Sequence, residues 1–469
     1  MSFFRLLEVR GCFKTLAFLA VVAGGSPCIA QTNIVYDSRA ACSELLTVDL
    51  TKLSLPMALD HALCVNPSVR QATYAITEKQ SDIDLAQLSY RPRINSAFSA
   101  NSSRAAATAT GDNTNLNTQN ISSSIGLNWL LFDFGQRDAT LAQTRSQLSS
   151  TVYGLNNVKS LAVSETLRLY SDALSVWLRL ENLRDAEIVA EQSLRAATAK
   201  YTLQVGSLSE KLQAQTALGQ TSLELVRANG LWETARAALA VHMGFSIYQK
   251  IGMPALEVAV PFIGIETNID DMLQYMRENH PRLKSLQADA NTLRSRGAAV
   301  VAEGRGSISF NASGQISRAL NQNNNVSDKN LSASVSANLP LFNRDEIDAR
   351  LAQINAQTDT KLSLLDAAQR ELDIELLRQI LVVRTEIETK FAARILAAAA
   401  EQNHKVALGR YQSGVGTIVD LLTAQSALSA ARLALDVTYL SQATARLRLV
   451  AIVGRLPPKA SQSTPNWVQ

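Results

Sequence analysis

The sequence predicts an α+β membrane protein with four barrel strands and long coiled-coil helical hairpins per protomer, built as an internal duplication. Three observations carry this reading. No proline occurs between Pro92 and Pro254 or between Pro340 and Pro457, and tracts of that length permit very long helices. Four segments of alternating polarity stand in two pairs, each pair ahead of a helical tract. Landmarks of the first half recur at an offset of 210 residues. Leu131-Phe132 matches Leu341-Phe342, and "YTLQVGSLSEKLQAQTAL" from Tyr201 matches "YQSGVGTIVDLLTAQSAL" from Tyr411. Repetition on this scale is a doubled structural unit, not a short-repeat solenoid.

The first 30 residues read as a secretory signal peptide. Arg5, Arg10 and Lys14 precede an apolar run from Leu16 to Val22, and Cys28-Ile29-Ala30 offers small residues for cleavage after Ala30. The run is too short to cross a bilayer. Pro27 before Cys28, with no leucine three positions upstream, argues against a lipidated cysteine. Cys42 and Cys64 remain after cleavage; an even pair in an exported chain favours one disulfide, the alternative being two buried thiols. The formal charge of +4 over 469 residues, with 18% charged residues, leaves no basic stripe for nucleic acid.

The helical tracts carry apolar residues at steps of three and four. In the second unit these form three runs, Ile347, Leu351 and Ile354, then Leu362 and Leu365, then Leu372, Leu376, Ile380, Val383, Ile387 and Phe391, a coiled-coil seam. A continuous helix from Asn343 to about Leu408 would run ~100 Å at 1.5 Å per residue, and the first unit offers the same from Asp133 to about Lys200. Each long helix meets a glycine-containing break, "LQVGS" or "SGVGT", and a second helix follows to Gly244 or Gly454, which makes a hairpin. The hairpins are expected over 133–244 and 343–455.

The alternating segments are expected as strands over 93–105, 121–132, 307–318 and 331–342. From Ile121, the odd positions are Ile, Ser, Ile, Leu, Trp and Leu, while the even ones are mainly Ser, Gly and Asn. Period two over 9 to 11 residues matches a membrane-spanning strand. A soluble half-buried sheet shows the same alternation. Here the polar face holds Ser, Asn and Gln with few charges, and no further apolar segment exists to cover the other face. The segments "AATATGDNTNLNTQN" and "ALNQNNNVSDKN" are expected as polar loops between strands. Open sheet edges are not tolerated in hydrocarbon, and the smallest membrane barrels use about eight strands. Several copies of a four-stranded chain must therefore share one barrel.

Four strands, two long hairpins, the "LF[DN]" switch and the "YxxxxG…AQ" tips together resemble the TolC-type outer membrane channel family, over about Leu53 to Leu456. The resemblance implies a homotrimer with a twelve-stranded barrel in outer membrane lipid and a helical tunnel across the periplasm of a Gram-negative cell. Residues 31–54 and the tail 457–469, with the region from Arg227 to Tyr275, would form an equatorial belt. The repeats would be 55–252 and 253–456. The "ALCVNP" stretch looks most like the branch serving type I secretion, with a periplasmic adaptor and an inner-membrane ABC transporter as partners; a proton-driven drug or metal pump is the alternative. A trimeric coiled-coil adhesin is a poorer reading, because the strands lie mid-chain, twice, between helices.

Carried over by position, the adaptor-docking tips are Val205-Gly206-Ser207-Leu208 and Val415-Gly416-Thr417-Ile418. The resemblance places Tyr411 and Glu210 in the closing gate and Asp420 in an acidic ring at the constriction. Gly416 stands where the family has a gate arginine, and Thr423 replaces a second acidic position, so a looser gate or another cation is expected. Gln204 replaces the glycine found at 414. At the two strand-to-helix switches, Asp133 with Gln136 and Asn343 with Glu346 are expected as N-cap and capping box. Catalysis finds no support: His61, His242, His280 and His404 lack HExxH or CxxC context, and neither a metal nor a cofactor is expected. His280-Pro281, aligned with Asn66-Pro67, reads as a helix start.

Overall fold

The computed structural model describes residues 50–109, 112–254, 269–320 and 325–454. The expected signal peptide, Cys42 and the C-terminal tail lie outside the described residues. The order is α1 (Leu55–Val65), α2 (Pro67–Leu88), β1 (Arg93–Ala109), β2 (Asp112–Phe132), α3 (Gln136–Thr202), α4 (Leu208–His242), then α5 (Ile269–Asn279), α6 (Pro281–Glu303), β3 (Ser307–Leu320), β4 (Asn325–Asn338), α7 (Arg344–Gln412) and α8 (Ile418–Ile452). The sequence helix, helix, strand, strand, helix, helix thus occurs twice.

Ala, Leu, Gln, Glu and Arg populate α3 and α7, all strong helix formers. These helices have 67 and 69 residues, ~100 Å each at 1.5 Å per residue. Two cores anchor them. In the first, Leu55, Leu59, Val163, Leu167, Leu174, Leu180, Trp232 and Leu239 pack together. Tyr170 lies fully buried there and donates its hydroxyl to the Leu53 carbonyl at 2.8 Å. The second joins Met276, Leu283, Leu372, Leu376, Ile380 and Val383 to Leu449. Leu440 and Leu447 of α8 belong to the first core, so this helix links both.

The heptad expectation fails beyond Val383. Ile387 and Phe391 are 44% and 70% exposed. The buried positions there are Ala393, Ala397, Ala400 and Ala407, so the stripe that faces α8 has rotated and the contact is made by methyl groups.

The sheet is an antiparallel meander in the order β1-β2-β3-β4. The long connection from β2 to β3 contains the whole first hairpin. Both expected loops between strands shrink, because pairing continues outward as far as Ala109↔Asp112 and Leu320↔Asn325. Asn and Thr on these extensions find ladder partners without needing a hydrophobic side. At the other end, β4 stops at Asn338 instead of reaching 342, since Pro340 cannot donate to a ladder. Leu341 and Phe342 follow it as exposed residues.

The switches from strand to helix differ from the expected capping boxes. Asp133 is buried, but α3 begins at Gln136 after Phe134 and Gly135 take φ of 52° and 91°. The Asp133 carboxylate accepts from the backbone N–H of Arg137 at 2.9 Å and from its Nε at 2.9 Å. Arg137 also donates to the carbonyls of Leu130 (2.8 Å) and Leu131 (3.3 Å) and lies over the Tyr90 ring. A buried ion pair thus clasps the strand end to the helix, and Gln136 makes no reciprocal cap. Asn343 is the N-cap of α7 but its side chain caps nothing, and Glu346 pairs instead with Arg350. The complete capping box sits elsewhere: Thr417 Oγ1 accepts from the Asp420 N–H at 3.1 Å, and the Asp420 carboxylate accepts from the Thr417 N–H at 3.3 Å. Ser207 provides half of the same device to Glu210.

The two hairpin turns share one geometry. Val205 and Gly206 donate to the Lys200 carbonyl, as Val415 and Gly416 donate to that of Arg410. A Cβ on Gly206 would lie 2.8 Å from Lys200 Cβ, and one on Gly416 3.0 Å from Arg410 Cβ. Gly414 has φ of 80°, and Gln204 at the equivalent place has φ of 59°. That conformation costs a side-chain-bearing residue ~1 kcal/mol or more. Gln204→Gly is expected to slow amide exchange in the 203–207 turn, by up to about 1 kcal/mol after the entropy cost of glycine. Gly206→Ala is expected to accelerate it.

Asn66 and His280 start α2 and α6 as equivalent caps. Asn66 Oδ1 accepts from Ser68 N–H at 2.9 Å, and His280 Nδ1 accepts from Arg282 N–H at 3.2 Å. Burial, aided by Arg282, lowers the His280 pKa to about 4. The folded protein therefore binds this proton less readily than the unfolded chain, and stability falls as pH drops from 6.5 towards about 4. His280→Asn is expected to keep the cap and remove that component from the acid-unfolding curve in detergent.

Candidate functional site

Register sorts the sheet into two chemically distinct faces. Directly opposed residues share a face. One face carries Ile94 and Phe98, Ile121, Ile125, Leu127 and Trp129, Phe310 and Ile316, and Leu331 and Val335. Phe98 is 74% exposed and Leu331 88%. The other face carries Ser99, Asn101, Ser122, Ser124, Asn128, Asn311, Ser313, Gln315, Ser332, Ser334 and Ser336. Its hydroxyls bond across strands: Ser99 to Ser122 at 2.7 Å, Ser309 to Ser336 at 2.9 Å and Ser313 to Ser332 at 2.8 Å. A shift in register between Leu130 and Phe132 brings Phe132 opposite Ile308, so the simple odd–even pattern ends one residue before the strand does. This bulge lies beside the Arg137 clasp.

At the far end of the hairpins, Val205 and Val415 are each 74% exposed, and Leu208 is half-exposed. Ile418, placed by the resemblance among the docking tips, is not available for docking: it is buried in a cluster with Tyr411 and Leu421. Lys200 supplies a cation beside Tyr411. Its Nζ sits 3.7 Å from the Tyr411 ring centroid and donates to the Tyr411 carbonyl at 2.8 Å. Burial first, and then the charge of Glu210, push the Tyr411 phenol pKa up, so the phenol stays neutral. Its hydroxyl has no partner among the described residues. Asp420 is exposed, and its hydrogen bonds with Thr417 hold its carboxyl below the usual carboxylate range.

Polar contacts continue from the tip along α3. Gln425 Nε2 donates to Ser193 Oγ at 2.8 Å, and Ser429 Oγ donates to Asn182 Oδ1 at 2.6 Å. A cleft of about 1530 Å³ lies between the hairpins, with Arg179, Asp185, Gln213, Glu224, His404 and Arg432 in its wall. Its lining mixes both charges with amides and aliphatics, which suits no single ligand. Among the described residues no cluster of His, Cys, Asp and Glu could hold a metal. Cys64 is disulfide-bonded; Cys42 lies outside the described residues.

Lys200, Asn182, Ser193, Ser429 and Arg137 were not singled out from the sequence, and Gln425 entered only as part of the "AQ" tip motif. The duplication offered a signal for two of them: Lys200 aligns with Arg410 just as Tyr201 aligns with Tyr411, and Gln425 aligns with Gln215 in the repeated "AQ".

Comparison with known proteins bears on both regions. The chain is 27% identical to Protein CyaE of Bordetella pertussis over 414 residues, covering 87% of this chain and 85% of that one. Its fold matches VceC, an outer membrane protein of Vibrio cholerae, with a TM-score of 0.68 at 16% identity, over 86% of this chain and 96% of VceC. It matches CusC with a TM-score of 0.70 at 18% identity, over 87% of this chain and 93% of CusC. A family profile described as outer membrane efflux protein matches residues 58–244 and 272–455, which together contain both helix–strand–hairpin units. The chain therefore belongs to the outer membrane efflux protein family.

Proposed function

We propose that this protein is the exit duct of a tripartite secretion or efflux machine, formed by three copies that share one barrel and one helical tunnel. The observation that carries the reading is the two-faced sheet: one face is apolar and the other a polar hydroxyl ladder, and the sheet is mounted on helices ~100 Å long. The family is one of outer membrane transport channels, not enzymes, and energy for transport comes from an inner-membrane partner. Three four-stranded sheets make twelve strands and close every edge. The repeats at 55–252 and 253–456 each contribute two strands and one hairpin. A Cys42–Cys64 bridge would tie the mature N-terminus to α1.

The tips serve as the docking end for a periplasmic adaptor. Val205 and Val415 present one aliphatic knob per hairpin, and Leu208 widens the first of them; Ile418 contributes by packing rather than by contact. The type I secretion setting, with an ABC transporter, fits the likeness to CyaE. Cargo choice rests with the transporter, since a wall of Ser, Asn and Gln is permissive.

Near the entrance, Tyr411 and Glu210 form the gate, with Lys200 as its cation in place of the expected arginine. Asp420, repeated three times about an axis, forms an anionic ring that attracts cations. The purified protein in a planar bilayer tests these assignments. Wild type is expected to migrate as a heat-modifiable oligomer and to give cation-selective single channels of low conductance. Lys200→Ala is expected to raise conductance and Lys200→Arg to leave it low. Asp420→Ala is expected to weaken cation selectivity and divalent block. Because the Asp420 carboxyl titrates below the usual carboxylate range, wild-type selectivity should persist into mildly acidic solution. An oligomer without a pore would overturn the duct; unchanged selectivity in Asp420→Ala would remove the ring.

A further inference from the structure

The apolar face of the sheet ends in cations. Arg318 of β3 lies directly opposite Ile121, and Lys329 of β4 directly opposite Ile316, so both stand on the face that carries Phe98, Ile125, Trp129 and Leu331. They are diagonal neighbours on adjacent strands, within reach of one ligand group for side chains of this length. Both are exposed, and neither makes an ion pair among the described residues. The acid nearest in sequence, Asp328, pairs with Ser317 and so belongs to the opposite, polar face. No Asp or Glu shares the apolar face of the described strands. An uncompensated basic pair on a lipid-facing surface needs an anion.

Depth identifies the anion. The lower margin of the apolar band is marked by Trp129, whose Nε1 donates to the Tyr90 carbonyl at 3.1 Å, and by Phe132 beside Ile308. From Ile308 to Arg318 the strand advances ~34 Å at 3.4 Å per residue, or ~26 Å along the membrane normal at a tilt of roughly 40°. The apolar band of outer membrane barrels is about 25 Å tall. Arg318 and Lys329 therefore emerge at the outer headgroup level. We propose that Arg318 and Lys329 form a binding site for the phosphate groups of a phosphorylated glycolipid in the outer leaflet, one site per protomer. Arginine matches a phosphate with two parallel donors, and lysine adds a compact charge beside it.

The proposal rests on the barrel reading, so the experiment measures both. Full-length channel in detergent is titrated with mixed micelles of bisphosphorylated lipid A, and retained lipid is counted by native mass spectrometry; the same samples are assayed for single-channel conductance. Wild type is expected to retain lipid A and to lose most of it when the lipid is dephosphorylated. Arg318→Ala with Lys329→Ala is expected to weaken retention roughly 30-fold, the worth of two basic side chains at an anionic surface. The charge-preserving Arg318→Lys with Lys329→Arg is expected to retain lipid as wild type does. Undiminished retention by the double alanine variant in a conducting oligomer would overturn the site alone. So would equal retention of dephosphorylated lipid, or displacement by millimolar inorganic phosphate, which would reveal a general anion site. A wild-type oligomer without conductance would overturn the barrel and this site together.

Discussion

Pairing of backbone groups in hydrocarbon is the constraint on which the rest of the molecule depends. A strand in lipid cannot leave its N–H and C=O groups unpaired without a cost of several kcal/mol for each. Within one chain β2 and β3 are paired on both sides, while β1 and β4 each have a single neighbour. One protomer is thus an arc that cannot be stable alone at membrane depth. Oligomerisation, the alternation of side chains and the placement of both hairpins at one end of the sheet all follow from closing that arc. The serine ladder on the polar face fits the same economy. Small hydroxyls satisfy one another across strands, and fixed charge such as Arg93 and Asp328 stands only towards the ends of the wall.

Duplication supplies two hairpins, but the copies leave the sheet differently. The first departure is clasped by Asp133 and Arg137, which tie the strand's last carbonyls to the opening turn of α3. At the second, Pro340 ends the ladder and Asn343 caps nothing. Phe342 is left fully exposed. A clasp of buried charges is stiff because breaking one partner leaves the other uncompensated. The first hairpin is accordingly fixed to its strand, and the second is joined by a softer link.

Much of this was legible in the sequence, for identifiable reasons. Period-two alternation locates all four strands because a two-faced wall leaves no other arrangement for those residues. Proline gaps bound the long helices because the penalty for an interior proline is large. The 210-residue offset exposes the shared turn geometry down to Gln204 and Gly414. What stayed hidden depends on choices between near-equal partners. Asp133 and Gln136 satisfy the pattern of a capping box, yet an arginine one residue further on outbids the glutamine for the carboxylate. Thr417 and Asp420 match that pattern equally well, and there the box forms. Ile387 and Phe391 continue a heptad on paper, but a straight helix drifts away from a seven-residue repeat, and the alanines turn inward instead. Lys200 and Tyr411 meet only through folding.

The exchange of leucine and isoleucine for alanine along α7 has a mechanical consequence. At the root of the hairpin, where the end of α8 meets the middle of α7, Leu372, Leu376, Ile380 and Val383 are buried, branched side chains worth ~1.5–3 kcal/mol apiece, whereas a buried alanine methyl contributes nearer ~0.8. Cohesion between the two helices of the second hairpin therefore declines with distance from its root, and the hairpin behaves as a cantilever whose shaft grows more compliant outward. Tyr411, Ile418 and Leu421 fasten its free end locally. A beam that is rigid at the base, pliant along its length and pinned at the tip can splay from a neighbour when the pin is drawn, and can spring back without repacking its core.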